Sequence, residues 1–243
     1  MSRLVCFSSA SLHVPGRRSY HKDLHKAMQL KRIDGLEILI AEANRLLKFK
    51  FHKDELDFIK SMKFKTLHAP FFMTGKLERL HFKNDPYYKR LLNKLYSMYD
   101  QIEADNINFH HNQIDDYNVF NVKDYQHSIE NMPPHHKLTI KLCKSLLRKS
   151  KFKLVLDATH ALAGNELKEF INAFKKDILY LHLSAFEDEN DHRFLHRVRK
   201  DSLRKLEPVK KLKCPVVVET WTEDKRIRPY QKEIDFVRRW LNS

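Results

Sequence analysis

A closed barrel of eight parallel β-strands with helical crossovers is the fold this sequence predicts, and three observations carry the expectation. Eight short apolar runs alternate with amphipathic segments from one end of the chain to the other. Repeated strand–helix units imply parallel strands, and eight of them imply closure. The length, 243 residues with 42% hydrophobic content, suits one barrel and its core. With 4 glycines in the chain there is no GxGxxG or P-loop type of phosphate cradle, which disfavours the alternative of an open doubly wound sheet with a Gly-rich first turn.

The elements follow in order. RLVCFSS (3–9) is the first strand and HKDLHKAMQLK (21–31) the first amphipathic helix. GLEILI (35–40) and FKTLHA (64–69) are the next strands, separated by a helix over KDELDFIKSM (53–62). YYKRLLNKLYSMYDQIEA (87–104) is the long helix before strand four, NINFHH (106–111). The fourth crossover, NQIDDYNVFNVKD (112–124), is too short for a proper helix. YQHSIEN (125–131), FKLVLDA (152–158), DILYLHL (177–183) and CPVVVET (214–220) complete the set of strands. Helices are expected over 136–149, 165–174, 201–212 and 233–241. Most strands read as apolar runs, the pattern of strands covered on both faces. Gly164-Asn165 reads as a helix start, and Pro215 falls at the first position of its strand, where a missing donor is tolerated. Without a linker, a low-complexity tract or a longer repeat, residues 1–243 are expected to form a single domain.

Composition narrows the function class. No apolar stretch reaches the 18 residues a membrane span needs, and the N-terminal residues lack a leader pattern, so an unexported cytoplasmic protein is expected. Cys6, Cys143 and Cys214 are odd in number and widely spaced, which excludes a disulfide framework and a zinc knuckle. The net charge of +15 attracts polyanions. Much of it belongs to solvated helix faces, as in KLTIKLCKSLLRKSKFK (137–153), so it favours a nucleic-acid partner only modestly.

The polar residues are more telling. His68, His110 with His111, Glu130, Asp157, His182 and Glu219 stand at the carboxyl ends of six of the eight strands, where such barrels build their sites. His160 and His192 follow in the loops after strands six and seven. A single histidine at a strand end is more often a hydrogen-bonded turn residue, and DxxH is common. Six strands ending independently in N/O donors is a poor coincidence, because burying them together leaves carboxylates unpaired unless a cation is present. Imidazole and carboxylate without thiolate suit Zn²⁺, Mn²⁺ or Fe²⁺. At roughly four to five ligands per ion the set supplies two or three ions, some sharing a bridging carboxylate. Pleating turns neighbouring side chains to opposite faces, so one of His110 and His111 points inward; His110 is the choice.

The ordered set HAP (68–70), His110, IEN (129–131), LDxxH (156–160), HL (182–183), the Asp191-His192 pair and VET (218–220) resembles the endonuclease IV / xylose-isomerase-like barrels over nearly the whole chain. The resemblance implies a xylose-isomerase-like (β/α)8 barrel with a shortened fourth crossover and up to three divalent ions, zinc first with manganese or iron as alternatives. In the endonuclease IV branch such a ring hydrolyses DNA beside an abasic site. Carried over by motif, His68 and His110 would hold one ion and Glu130 would bridge to a second completed by Asp157, His182 and Glu219. His160 and His192 would hold the third, helped by Asp191 or Asn190. In the isomerase and epimerase branches one ion takes Glu130, Asp157, His182 and Glu219, and two carboxylates shuttle a proton, so Glu130 and Glu219 are the catalytic candidates. The sequence departs from the nuclease pattern at His110-His111-Asn112, Phe71-Phe72, Ala185 and the stretch 190–196.

Three readings compete. A phosphodiesterase acting on DNA uses His68 and His110 as ligands and has Lys76, Arg79, Arg193 and Arg197 on the catalytic face for phosphates, with Phe71, Phe72 and Phe194 as stacking or wedging residues. A sugar or sugar-phosphate isomerase/epimerase needs only the four-ligand core. A metal-binding barrel retained for interaction is the third, since fold does not fix function.

Overall fold

The computed structural model describes residues 3–13, 19–74, 76–121, 124–132, 138–222 and 225–243. Eight parallel strands close a barrel. They are β1 (Val5–Ser8), β2 (Gly35–Leu39), β3 (Phe64–His68), β4 (Asn106–His110), β5 (His127–Glu130), β6 (Lys153–Asp157), β7 (Ile178–Leu183) and β8 (Val216–Val218). Each pairs with its sequence neighbour, and β8 pairs with β1 to complete the ring. All eight expected strands are present. Among the described residues no helix is long and apolar enough to cross a membrane.

The helices are α1 (Tyr20–Ala27), α2 (Ala43–Lys48), α3 (Lys53–Lys60), α4 (Pro86–Ile102), α5 (Ile140–Lys149), α6 (Ala158–Ala163), α7 (Leu167–Phe174), α8 (Lys200–Leu206) and α9 (Ile227–Leu241). Two of them, α2 and α6, are too short to show a period in the sequence. The fourth crossover is indeed short and carries two 3-10 turns, His111–Gln113 and Tyr117–Phe120. The expected helix over 201–212 passes from α8 into a 3-10 turn at Glu207–Lys211, as a proline at 208 removes a helical donor. Gly164-Asn165 is not a helix start but the turn between α6 and α7: Gly164 closes α6 and Asn165 has φ 56°. The start of the expected helix 136–149 lies partly outside the described residues.

Contrary to the expectation from sequence, the strands are not apolar on both faces. Their outward side chains, such as Leu67, Ile107, Phe109, Ile129, Leu154, Leu156 and Leu181, form the large core under the helices. The inward ones change character along the barrel. At its amino end Cys6, Phe64, Val155, Tyr180 and Val217 make an apolar floor. Gly35 is needed there, because a Cβ would collide with the Phe64 carbonyl oxygen and Cys6 Sγ. Above the floor lies a buried polar layer of Ser8, Glu37, Thr66, Asn106, Asn108 and Ser128. It is hydrogen-bonded internally, with Asn106 Nδ2 donating to Ser128 Oγ (2.7 Å) and Ser128 Oγ to Asn108 Oδ1 (3.1 Å). Burying such groups is tolerable when they are paired, as most of this layer is, while Asn106 Oδ1 has no hydrogen-bond partner.

Candidate metal centre

The next inward position after the polar layer is the last or next-to-last residue of a strand. Period-2 pleating therefore turns His68, His110, Glu130, Asp157 and His182 into one space at the carboxyl end, with Glu219 just beyond β8. His111 begins the 3-10 turn, with its Nδ1 3.2 Å from the Glu130 carbonyl, so His110 is the inward member of the pair. His68 and His110 lie edge to face, 4.8 Å between ring centres.

The donors fall into three overlapping groups whose ligand atoms all lie within 4.8 Å of one another: His68–His110–Glu130, Glu130–Asp157–His182–Glu219 and Asp157–His160–His192. All eight expected metal-type residues take part. Glu130 spans two groups, with Oε2 3.4 Å from His68 Nε2 and Oε1 3.2 Å from His182 Nδ1. Asn108 Nδ2 donates to Oε2 at 2.6 Å and fixes this carboxylate. Asp157 spans the other two groups, so the carboxylate gathered with His160 and His192 is Asp157. Asn190 and Asp191 are exposed, and the Asn190 amide is spent on the Asp188 carbonyl.

The DxxH spacing has a local cause. Asp157 ends β6 and caps α6, its Oδ1 accepting the His160 backbone N–H at 2.8 Å. The cap folds the first turn of α6 back over the ring and brings His160 beside the carboxylate. Asn131, in the IEN motif, locks the same corner: its side chain bonds the Asp157 backbone N–H and carbonyl (2.7 and 2.9 Å), and its carbonyl lies 2.9 Å from His160 Nδ1. His192 comes from a hairpin, Ala185–Glu187 with Asn190–Arg193. Asp188 and Glu189 both have positive φ at its tip, as a primed two-residue turn needs. His192 has φ 53°, a conformation disfavoured for a residue with a Cβ, and its ring meets that of His160 at 5.4 Å.

The tautomers are set from outside the ring. His68 Nδ1 faces the Ala69 carbonyl at 2.8 Å, which leaves Nε2 toward Glu130. His182 Nε2 faces Glu37 Oε2 at 3.0 Å, which leaves Nδ1 between Glu130 Oε1 (3.2 Å) and Glu219 Oε2 (3.0 Å). Glu37 is held by Tyr180 Oη (2.8 Å) and Ser8 Oγ (3.1 Å). A carboxylate holding the far nitrogen of a histidine is the usual support of an imidazole ligand. Sequence reading missed Glu37 and Asn108 and gave Asn131 no role beyond its place in IEN; the available signal was a charge inside GLEILI and the alternation N-I-N-F-H.

Two buried atoms fit a cation. Asp157 Oδ2 has no hydrogen-bond partner, and His182 Nδ1, although 3.0–3.2 Å from the Glu219 and Glu130 carboxylates, makes no aligned hydrogen bond to either, an expensive state for buried groups unless an ion satisfies them. Burial lowers the His110 pKa to about 3, with neighbouring His68 adding to the effect, and so keeps its imidazole neutral and fit to ligate. Burial opposes charge on Glu130, yet His182, His68 and His110 hold it well below the usual carboxylate range. Asp157 goes the other way, raised chiefly by burial.

The proposed phosphate contacts are less gathered. Arg79 lies on a hairpin strand (Lys76–Arg79, paired with Phe72–Thr74) that follows β3, and Arg193 on the hairpin that follows β7; both are exposed. Arg197 is exposed with its guanidinium 4.7 Å over the Phe194 ring. The Lys76 side chain lies outside the described ones. Phe194 is no wedge, because it is buried in the core against Tyr230. Phe71 is partly buried and stacks on His110, 5.5 Å between ring centres. The exposed aromatic at this rim is Trp221, two residues after Glu219, at 53% exposure with Lys225 Nζ 5.0 Å from its ring centre.

Fold and site together define a metal-donor ring at the carboxyl end of a TIM-type barrel. The architecture is similar to that of solved xylose-isomerase-like barrels. D-Psicose 3-epimerase from Clostridium cellulolyticum H10 superposes with a TM-score of 0.67 at 14% identity, covering 98% of this chain and 99% of its own. Endonuclease IV from Thermus thermophilus superposes at 0.64 with 12% identity (98% and 99%). A sugar phosphate isomerase/epimerase from Parabacteroides distasonis ATCC 8503 gives 0.63 with 12% identity (98% and 94%). No family model and no curated protein sequence matches the chain.

Proposed function

We propose that this chain is a divalent-metal-dependent phosphodiesterase of the endonuclease IV kind, hydrolysing DNA at abasic or damaged sites. The observation that carries the reading is the presence of three donor groups joined through Glu130 and Asp157, where a one-ion isomerase needs only the central four. These groups would hold Zn²⁺, Mn²⁺ or Fe²⁺, which would supply an ionised water and charge to neutralise a phosphate and a departing oxyanion. Glu130 and Glu219 flank His182 Nδ1 and keep negative charge where those ions would sit. Arg79, Arg193 and Arg197 on the exposed rim supply phosphate contacts, and the net charge of +15 draws a polyanion toward it. Trp221 takes the stacking role that Phe194 cannot fill.

A sugar or sugar-phosphate isomerase/epimerase is the second reading. It is favoured by the completeness of the Glu130–Asp157–His182–Glu219 group, which serves one ion alone. Glu130 and Glu219 would then move a proton beside a substrate carbonyl.

One pair of variants separates the two. Glu219→Ala abolishes activity under either chemistry. His68→Ala is expected to cut incision of an abasic-site duplex by ~10²-fold, comparable to losing one oxyanion donor, and to remove about one ion per chain. Metal content and turnover are measured on that duplex and on a panel of ketoses. A His68→Ala chain with its full metal complement, together with wild-type protein that leaves DNA intact and turns over a ketose, overturns the nuclease reading.

A further inference from the structure

Outside the barrel, α1 and the start of α3 bring together a second set of metal-type side chains that shares no residue with the ring. His21 and His25, four apart on α1, lie on one helix face. His52 is the N-cap of α3, and Glu55 follows three residues later. Glu55 is fully buried, and its Oε2 accepts the His52 backbone N–H at 2.8 Å, which pins the carboxylate. Its other oxygen, Oε1, then has three imidazole nitrogens around it: His21 Nδ1 at 2.7 Å, His25 Nε2 at 3.5 Å and His52 Nδ1 at 3.9 Å.

We propose that His21, His52 and Glu55, whose ligand atoms lie within 4.8 Å of one another, form a second divalent-cation site that ties two helices together, with His25 beside it. The chemistry suits Zn²⁺, which takes imidazole and carboxylate donors tetrahedrally at roughly 2.0–2.1 Å, so its ligand atoms stand about 3.3 Å apart. The three distances to Oε1 bracket that edge. The rings of His21 and His52 are parallel, 4.0 Å between centres and 4° between planes. Imidazole lone pairs lie in the ring plane, so parallel rings cannot both aim at one ion, and the exposed His52 ring would turn about its side-chain bonds to ligate. Asp54 Oδ2 lies 3.4 Å from His25 Nε2 at the exposed rim, and His25, His52 and Asp54 themselves gather within ligand distance, giving an entering ion a first foothold. With His25, whose Nε2 is 3.5 Å from Glu55 Oε1, turned in as a fourth donor, no position would be left open for substrate, so the ion would staple α1 to α3 rather than catalyse.

The test uses the full-length protein and Zn²⁺ alone. His25 and His52 are about half exposed, 49% and 56%, so His25→Ala/His52→Ala removes two donors with little loss of packing. Equilibrium dialysis against buffered Zn²⁺ followed by elemental analysis is expected to show one ion fewer per chain in the double variant than in wild type. A second measurement subtracts the ring: Zn²⁺ is expected to raise the melting temperature of otherwise wild-type protein by more than that of His25→Ala/His52→Ala protein, since both keep the whole ring. Equal zinc content and equal zinc-dependent stabilisation with and without the two histidines would overturn the proposal and leave the cluster as histidines hydrogen-bonded to a buried carboxylate. Because the comparison turns on residues outside the barrel mouth, it stands or falls independently of the enzyme's substrate.

Discussion

Glu37 is the residue whose substitution tests most directly how the ring is built. Its Oε2 lies 3.0 Å from His182 Nε2 and accepts the Tyr180 hydroxyl at 2.8 Å, while Oε1 accepts Ser8 Oγ at 3.1 Å. A carboxylate at Nε2 requires the proton there and so keeps the Nδ1 lone pair for a metal. Glu37→Gln preserves volume and its oxygen can still accept from Ser8, but an amide nitrogen in the place of Oε2 would present an N–H to His182 Nε2, while the Tyr180 hydroxyl turns to Thr66 Oγ1, 3.4 Å away. His182 would then carry its proton on Nδ1, facing Glu130 and Glu219. Metal-free protein should lose little stability, because an Nδ1–H would face the Glu130 and Glu219 carboxylates at 3.2 and 3.0 Å. Zinc affinity should fall by roughly 10–100-fold, the usual effect of removing such a support, equivalent to about 1.4–2.8 kcal/mol. Competition with a chromophoric chelator gives the affinity, and thermal unfolding of the metal-free protein gives the stability. The split matters: lower affinity with unchanged metal-free stability is expected, whereas unaltered affinity, or a loss confined to metal-free stability, refutes the tautomer argument.

Two further outcomes are expected. Under the nuclease proposal, duplex DNA binding should weaken steeply with salt, and Arg193→Ala/Arg197→Ala should flatten the log–log slope by about one unit per lost phosphate contact; a slope indifferent to both arginines removes the rim from the binding surface. His127 is buried among Phe109, Phe120 and Phe152, and burial pushes its pKa down from 6.5 to about 4. The unfolded chain therefore takes up this proton first as pH falls, so stability is full above about pH 6.5 and is lost toward pH 4, by roughly 3 kcal/mol from this group alone. His127→Phe should shallow the acid limb of the pH–stability curve measured by urea unfolding, and an unchanged limb would place the loss elsewhere.

How much of this was legible in the sequence depended on length scale. Eight strands could be counted because each is an apolar run of several residues with a helical period on either side. The helices α2 and α6, six residues each, carry less than two turns and no readable period. The hairpins after β3 and β7 were hidden for a related reason: strands of three or four residues do not alternate long enough to register. Reading the barrel strands as apolar on both faces was an error of averaging. In Asn106–His110 every second residue is polar, and that alternation marks the inward face that carries the buried hydrogen-bonded layer.

The ring itself was legible because strand geometry leaves little freedom at its rim. A strand whose final inward residue is a histidine or carboxylate must present it at the barrel mouth, so position in the motif fixed position in space for His68, His110, Glu130 and Asp157. What sequence could not supply was the support, because a support is defined by its partner across the barrel. Glu37 on β2 meets His182 on β7, 145 residues away, and no local pattern announces that pairing. Asn131 was visible as part of IEN, but its work is to hold the corner where Asp157 begins α6, a helix the sequence did not show. Asp157 then serves two purposes at once: Oδ1 starts the helix that brings His160 into place, and Oδ2 is left unpaired toward the ring. The local fold of the LDxxH stretch (156–160) and the third donor group are therefore a single structural event, in which one carboxylate ends the strand, starts the helix and sets the imidazole three residues later.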